Sequence, residues 1–135
     1  MASRSQHLSV VIDRPAAAVY EFAGDPANLP RWAAGLARAA MERVDGQWVA
    51  QSPMGRVTVR FVEHNDFGVL DHVVTLPSGD SVYNPLRVIP YGEASEVVFT
   101  LRRQPGMTDQ QFQADADAVR ADLASLALIL EAADR

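Results

Sequence analysis

Six apolar residues near the C-terminal end are Phe112, Ala116, Val119, Leu123, Leu126 and Leu130, at steps of 4, 3, 4, 3 and 4. That spacing traces one stripe along a helix of about five turns, because residues three and four apart share a face. Asp109, Gln113, Asp117, Arg120 and Glu131 fall on the other side and are expected to face solvent. Thr108 and Gln111 have capping-box spacing, and Met107 and Phe112 hold the two hydrophobic-staple positions. Pro105-Gly106 ends whatever precedes. The spacing predicts a helix over 109–132. A single long stripe must be buried against something, and the only partner of matching size would be a sheet.

The rest of the chain supplies that sheet. The eight glycines stand at 24, 35, 46, 55, 68, 79, 92 and 106, with gaps of 9 to 14 residues. Strand-plus-turn units of antiparallel sheets repeat at about 8–12 residues. Between the glycines lie β-rich segments: 36–44, 47–51, 56–64 (RVTVRFVEH), 69–76 (VLDHVVTL), 81–90 (SVYNPLRVIP) and 95–103 (SEVVFTLRR). Asp45-Gly46, Pro53-Met54-Gly55, Pro77-Ser78-Gly79 and Tyr91-Gly92 are suitable turns between them. Residues 7–13 read as a first strand. Pro15 then opens a short helix ending at Gly24, and Asp25-Pro26 starts a second one leading to Leu29, Arg31 and Trp32. The expected fold is α+β. A curved antiparallel sheet of about seven strands wraps a long C-terminal helix, with two short helices after the first strand, in a single domain over 1–135.

Composition bounds the function. A chain of 135 residues with 48% hydrophobic and 21% charged residues can build its own core. The net charge of −5, with no basic run longer than Arg102-Arg103, argues against nucleic-acid binding. The absence of cysteine removes disulfides, thiolate metal sites and a cysteine nucleophile. No apolar run exceeds five residues, so neither membrane insertion nor a secretory core is expected, and a cytoplasmic location is the default. Glycine-rich nucleotide loops and the nucleophile elbow of serine hydrolases are absent. His64 with Glu63, Asp66 and Asp71 straddles a turn without ligand spacing, so no metal and no cofactor are expected.

SVVIDRPAAAVYEFAGDPANLPRW (9–32), the PMGR turn (53–56) and the order of the elements make the chain similar to the START-like, Bet v 1-like (SRPBCC) superfamily, in its bacterial polyketide cyclase/dehydrase-like branch. DHVVTLPSGDSVYNPLRV (71–88) and EVVFTLRRQPGMTDQQF (96–112) resemble a recurring subgroup within it. The resemblance covers nearly the whole chain. It implies the helix-grip fold and a deep apolar cavity between sheet and helix. One fold hosts many activities, so it implies no single one. Carriers, cyclases, oxygenase domains and chaperone regulators all belong to it. Three histidines without the needed placement do not reproduce an oxygenase iron site.

Strand alternation then selects candidate residues. Leu70, His72, Val74 and Leu76 form the more apolar set of their strand and are expected to face inward, with Asp71 outward. In the next segment Val82, Asn84, Leu86 and Val88 face in, with Tyr83 and Arg87 out; for Arg87 and Arg102 a solvated face is the plainer reading and a carboxylate clamp the alternative. A hairpin turning at Ser78-Gly79 sets His72 across from residue 84 or 85, so His72 and Asn84 become neighbours. His72 is the candidate general acid/base or ligand anchor. The plainer reading is a buried histidine satisfied by Asn84 or a carbonyl. Trp32 gates the cavity or plugs it. Ligand contacts are expected from Trp32, Phe61, Leu70, His72, Asn84, Leu86, Phe99, Phe112, Ala116 and Val119. The leading function is binding of a small, largely apolar molecule. A cyclase, dehydratase or isomerase using His72 is the alternative, and a protein-interaction module the third. A homodimer through a sheet edge or outer face is a further expectation.

Overall fold

The computed structural model describes residues 4–34, 36–37 and 39–133. The chain runs β1 (Ser5–Ile12), α1 (Ala16–Ala23), a 3₁₀ turn (Pro26–Asn28), α2 (Leu29–Trp32), β2 (Glu42–Val44), β3 (Gln47–Ser52), β4 (Gly55–Phe61), β5 (His72–Thr75), β6 (Ser81–Asn84), β7 (Leu86–Tyr91), β8 (Ala94–Arg102) and α3 (Asp109–Ala133). This is the expected helix-grip arrangement. All strand pairs are antiparallel, in the orders β1-β8-β7 and β2-β3-β4-β5-β6.

The helix α3 forms where the stripe requires it. Its capping box closes in both directions: the Gln111 amide donates to Thr108 Oγ1 at 3.1 Å, and the Thr108 amide donates to Gln111 Oε1 at 2.9 Å. Phe112, Ala116, Leu123, Leu126 and Leu130 are buried and Val119 half-buried. Burial of each leucine contributes about 2 kcal/mol. The far end is tied to the first strand's exit. The Asp13 amide donates to Glu131 Oε2 at 2.9 Å, and Arg14 Nη1 donates to the Leu130 carbonyl at 2.9 Å. Glu131 is therefore half-buried and engaged, not free in solvent as its helical phase suggested.

The described residues form eight strands, against about seven expected, and the boundaries differ for identifiable reasons. Pro85 divides the expected strand 81–90. Proline has no N–H to donate, and its carbonyl instead accepts from the Thr100 amide at 3.0 Å. The expected strand 36–44 is confined to Glu42–Val44; its residue Arg38, like Gly35 just before it, lies outside the described residues. Leu36 and Ala37 instead continue a turn, both donating to the Ala33 carbonyl at 2.9 Å, which suits their alanine-rich sequence. Regular strand within 69–76 begins only at His72.

The segment just before β5 joins the two sets of strands. Leu70 donates to the Leu86 carbonyl and Val88 to the Gly68 carbonyl, both at 2.8 Å, and Val69 bridges Arg87. Residues 68–70 thus run along β7, whereas 72–75 pair with β4 and β6. Asn65 shapes the approach: its Oδ1 accepts from the Phe67 and Val69 amides at 3.0 and 3.1 Å, and its own amide donates to Tyr20 Oη of α1 at 2.9 Å.

Gly68 makes this seam geometrically feasible. Its φ is +71°, and a Cβ there would stand 2.1 Å from the Val88 carbonyl oxygen. Gly68→Ala should lower unfolding free energy by about 3 kcal/mol, summing backbone strain and overpacking. Urea unfolding measures it; a loss below about 1 kcal/mol would show that the seam yields easily.

Candidate functional site

A cavity of about 310 Å³ lies between the sheet and α3. Leu29 and Trp32 of α2 contribute to its walls, as do His72 and Val74 of β5 and Val82 and Asn84 of β6. Phe99 and Leu101 of β8 with Val119 and Leu123 of α3 add further wall surface. Most of these side chains are apolar because the inner phase of each strand and the α3 stripe both point here.

His72 is the buried titratable group of the lining. The β-register sets it between Phe61 on β4 and Asn84 on β6. Its ring centroid lies 5.0 Å from that of Phe61 and 6.3 Å from that of Phe99. Nδ1 stands 3.0 Å from the Leu70 carbonyl oxygen. A carbonyl can only accept, so Nδ1 carries the proton and Nε2 keeps its lone pair in the neutral ring. Burial pushes the imidazole pKa below its ordinary 6.5, against the opposing pull of the Leu70 carbonyl and the Asp71 charge. Asn84 is half-buried beside it, with no hydrogen-bond partner for its side chain among the described residues. Trp32 is 6% exposed, and its Nε1–H is buried with no partner among the described residues.

Five of the expected contact residues line the cavity: Trp32, His72, Asn84, Phe99 and Val119. The other five do not. Phe61 packs against the His72 ring and lines a neighbouring groove with Trp48. Leu70 and Leu86 are spent in the seam between the sheets, where Leu70 also fills the space beside Gly24. Ala116 is buried in the core beneath α3. Phe112 is buried in the first turns of α3, with the Arg103 guanidinium 5.7 Å above its ring. Residues the alternation does not select also line the cavity: Leu36, Met54, Gln104, Met107, Asp115 and Asp122. Asp115 and Asp122 are seven apart and flank Val119 on one helical line, a detectable signal. Partial desolvation raises the Asp115 carboxyl above its ordinary value.

Behind His72, on the opposite face of the strand, Asp71 is 2% exposed. The alternation sets it outward. It does face outward, yet Tyr83 and Arg87 fold over it. Arg87 Nε and Nη2 donate to its two oxygens at 2.8 Å each, Tyr83 Oη donates at 2.7 Å, and the Leu86 amide donates at 2.9 Å. Arg87 is thus a carboxylate clamp, with its own side chain half-exposed. Burial alone would raise the Asp71 pKa. The donors outweigh it and lower the value from 3.8 to about 2.

The neighbouring acidic turn is used differently. His64 Nε2 lies 3.5 Å from Glu21 Oε1 and stands edge-on to Tyr20, while Asp71 belongs to Arg87. Among the described residues no three His, Asp or Glu side chains gather as a metal site would need. No helix of the described residues is long and apolar enough to cross a membrane.

An antiparallel sheet gripping one long C-terminal helix, with a mainly apolar cavity between them, defines a helix-grip protein of the START type. The chain belongs to the polyketide cyclase/dehydrase and lipid transport family, which matches residues 4–131. No curated protein matches the sequence significantly. Solved structures share the fold at low identity. XoxI from Bacillus cereus is 13% identical with a TM-score of 0.74, covering 98% of this chain and 99% of that one. A START superfamily protein from Mycobacterium smegmatis is 13% identical with a TM-score of 0.69, covering 96% and 98%. The di-domain aromatase/cyclase BexL of the BE-7585A biosynthetic pathway is 18% identical with a TM-score of 0.69, covering 93% of this chain and 45% of that one.

Two measurements test the electrostatics. Asp71 has its folded pKa below its unfolded one, so its contribution is complete above about pH 4 and is lost as pH falls towards 2. That contribution is about 2 kcal/mol. Asp71→Asn should lose it at neutral pH and flatten the wild-type decline between pH 4 and 2 in chemical unfolding; an unchanged acid limb refutes the assignment. For His72, long-range ¹H–¹⁵N spectra should show the Nδ1–H tautomer at pH 7 and a titration midpoint below 6.5; a protonated Nε2 contradicts the geometry.

Proposed function

We propose that this chain binds a small, largely apolar molecule in the cavity between the sheet and α3. The observation that carries the reading is the cavity itself: about 310 Å³ of space with mainly apolar walls between the sheet and α3. Small-molecule sites begin at about that size. Membership in a family described by polyketide cyclisation, dehydration and lipid transport supports it. So does the shared fold of the aromatase/cyclase BexL. Burying some 200 Å² of apolar ligand surface contributes about 5 kcal/mol before ordering costs, so micromolar-to-millimolar affinity follows from shape alone.

A second reading rests on His72. A neutral imidazole with a free Nε2 lone pair, held in a cavity wall by the Leu70 carbonyl, is equipped to take a proton from a bound substrate. Cyclisation, dehydration or isomerisation of a polyketide-like or aromatic substrate would then draw mostly on holding that substrate folded, with His72 moving the proton.

The experiment is native mass spectrometry of the protein purified gently from its host, followed by denaturing analysis of what is released. A discrete co-purifying molecule of low polarity is the expected result. An apo mass with no thermal shift across an apolar panel would refute binding. Incubating the released molecule with wild type and His72→Ala separates the two readings. Loss of turnover with retained affinity identifies an enzyme, and absence of turnover in wild type identifies a binder.

A further inference from the structure

The strand β1 ends the order β1-β8-β7, and its far side pairs with no strand among the described residues. The phase of its backbone follows from one bond. The Arg103 amide donates to the Arg4 carbonyl at 2.8 Å, one step beyond the Ser5–Arg102 pair. Bonded and non-bonded pairs alternate along an antiparallel ladder. Gln6, Leu8, Val10 and Ile12 share the phase of Arg4 and spend their peptide groups on β8. His7, Ser9 and Val11 hold the other phase, so their N–H and C=O groups point away from it. The partner strand agrees: the amide of Thr100, which stands across from His7, donates to the Pro85 carbonyl instead. The side chains of His7, Ser9 and Val11 are exposed, and no charged residue lies between Arg4 and Asp13. Long strand edges are ordinarily blunted by charge, proline or brevity. The edge strand β2 follows that rule, with three residues of which Glu42 and Arg43 are charged. The eight residues of β1 do not.

This edge is complementary to itself. A two-fold axis at Ser9 sets Ser9 against Ser9 and His7 against Val11 of a second copy, in both directions. Each of these three facing pairs would exchange two backbone bonds, about six in all. The same register sets Leu8 against Val10 on the inner face. Leu8 is buried and Val10 only half-buried, so the contact covers apolar surface that the monomer leaves partly open. A small, neutral serine stands at the axis, where a charge would meet its own copy. We propose that β1 is a homodimer edge, joining two copies antiparallel about Ser9 into one continuous sheet β7-β8-β1-β1-β8-β7. A single strand-to-strand contact falls short of the roughly 1,200 Å² of a standard interface, so the dimer is weak, with a dissociation constant on the order of 100 μM.

Sedimentation equilibrium from about 10 μM to 1 mM tests it, on wild type and Ser9→Pro. Proline at 9 removes a donor from the free edge and none from the β8 ladder, so the monomer should fold normally and the dissociation constant should rise at least tenfold. Amide exchange on wild type tests the same edge without a variant. The His7, Ser9 and Val11 amides should exchange slowly at 1 mM and fast at 10 μM, while Gln6, Leu8, Val10 and Ile12 stay slow at both. The register has its own readout, because the chain has no cysteine. Ser9→Cys should crosslink to itself on mild oxidation, and His7→Cys, which faces Val11, should not. A wild-type chain still monomeric at 1 mM overturns the proposal and leaves this edge to a strand of another protein. A dimer that Ser9→Pro does not weaken, or one in which the three amides stay fast, uses another surface and overturns it as well. Crosslinking of His7→Cys but not of Ser9→Cys overturns the register.

Discussion

The fold depends on one carboxylate placed where two sets of strands meet. At Asp71 the chain stops running along β7 and starts pairing with β4 and β6. The backbone changes partner there, and the Asp71 side chain makes good the disruption. It accepts the Leu86 amide just past the Pro85 break, and it gathers Tyr83 of β6 and Arg87 of β7 from either side of that break. Its own carbonyl accepts from Val62 beyond the end of β4 at 2.9 Å. One residue thus touches four consecutive pieces of the sheet. A buried carboxylate is costly when unpaired. With four donors on its two oxygens the desolvation is offset, and the junction acquires a fixed geometry.

The cavity follows from how that junction spends its apolar residues. Leu70 and Leu86 are drawn into the seam, and Leu70 packs over Gly24 at the end of α1. Both are buried there. At the other end the inward positions hold Val74, Val82 and Asn84, which are shorter, and α3 presents Ala118 and Val119. Short side chains at these positions leave room beside the larger Trp32, Phe99 and Leu123 of the same walls. The lower end of α3 is fixed independently, by the contacts of Asp13 and Arg14 with Glu131 and Leu130. The helix therefore cannot settle onto the sheet to close the gap without breaking them.

Periodicity made the architecture legible in the sequence. The 4-3-4-3-4 stripe gave α3 to within a residue of its end, and the inward phase of β5 and β6 brought His72 opposite Asn84. Both are local signals with a fixed period. The errors arose where a single residue overrides the period. Pro85 cut one expected strand in two, and Asp71 delayed another. Alternation assigns a side chain to a face and says nothing about what covers that face, so it could not show Asp71 buried under Arg87 and Tyr83. For the same reason it assigned Leu70, Leu86, Phe112 and Ala116 to the cavity when they line solid core. Inward is not the same as unfilled, and the difference is set by long-range packing that no spacing encodes.

The two adjacent residues at the junction show how finely a sheet can separate chemistries. Asp71 and His72 are consecutive, so the pleat sends them to opposite faces. Both are buried, and burial disfavours charge at both. On the outer face Asp71 finds three kinds of donor and a full guanidinium charge, and it stays ionised down to about pH 2. On the inner face His72 finds two phenyl rings and one carbonyl, and it stays neutral. The Asp71 charge does pull the imidazole towards protonation, as the Leu70 carbonyl does more strongly, but burial outweighs both. An uncharged imidazole with its Nε2 lone pair free thus stands one residue away from an ionised acid, the first kept neutral by burial and the second kept charged by its donors.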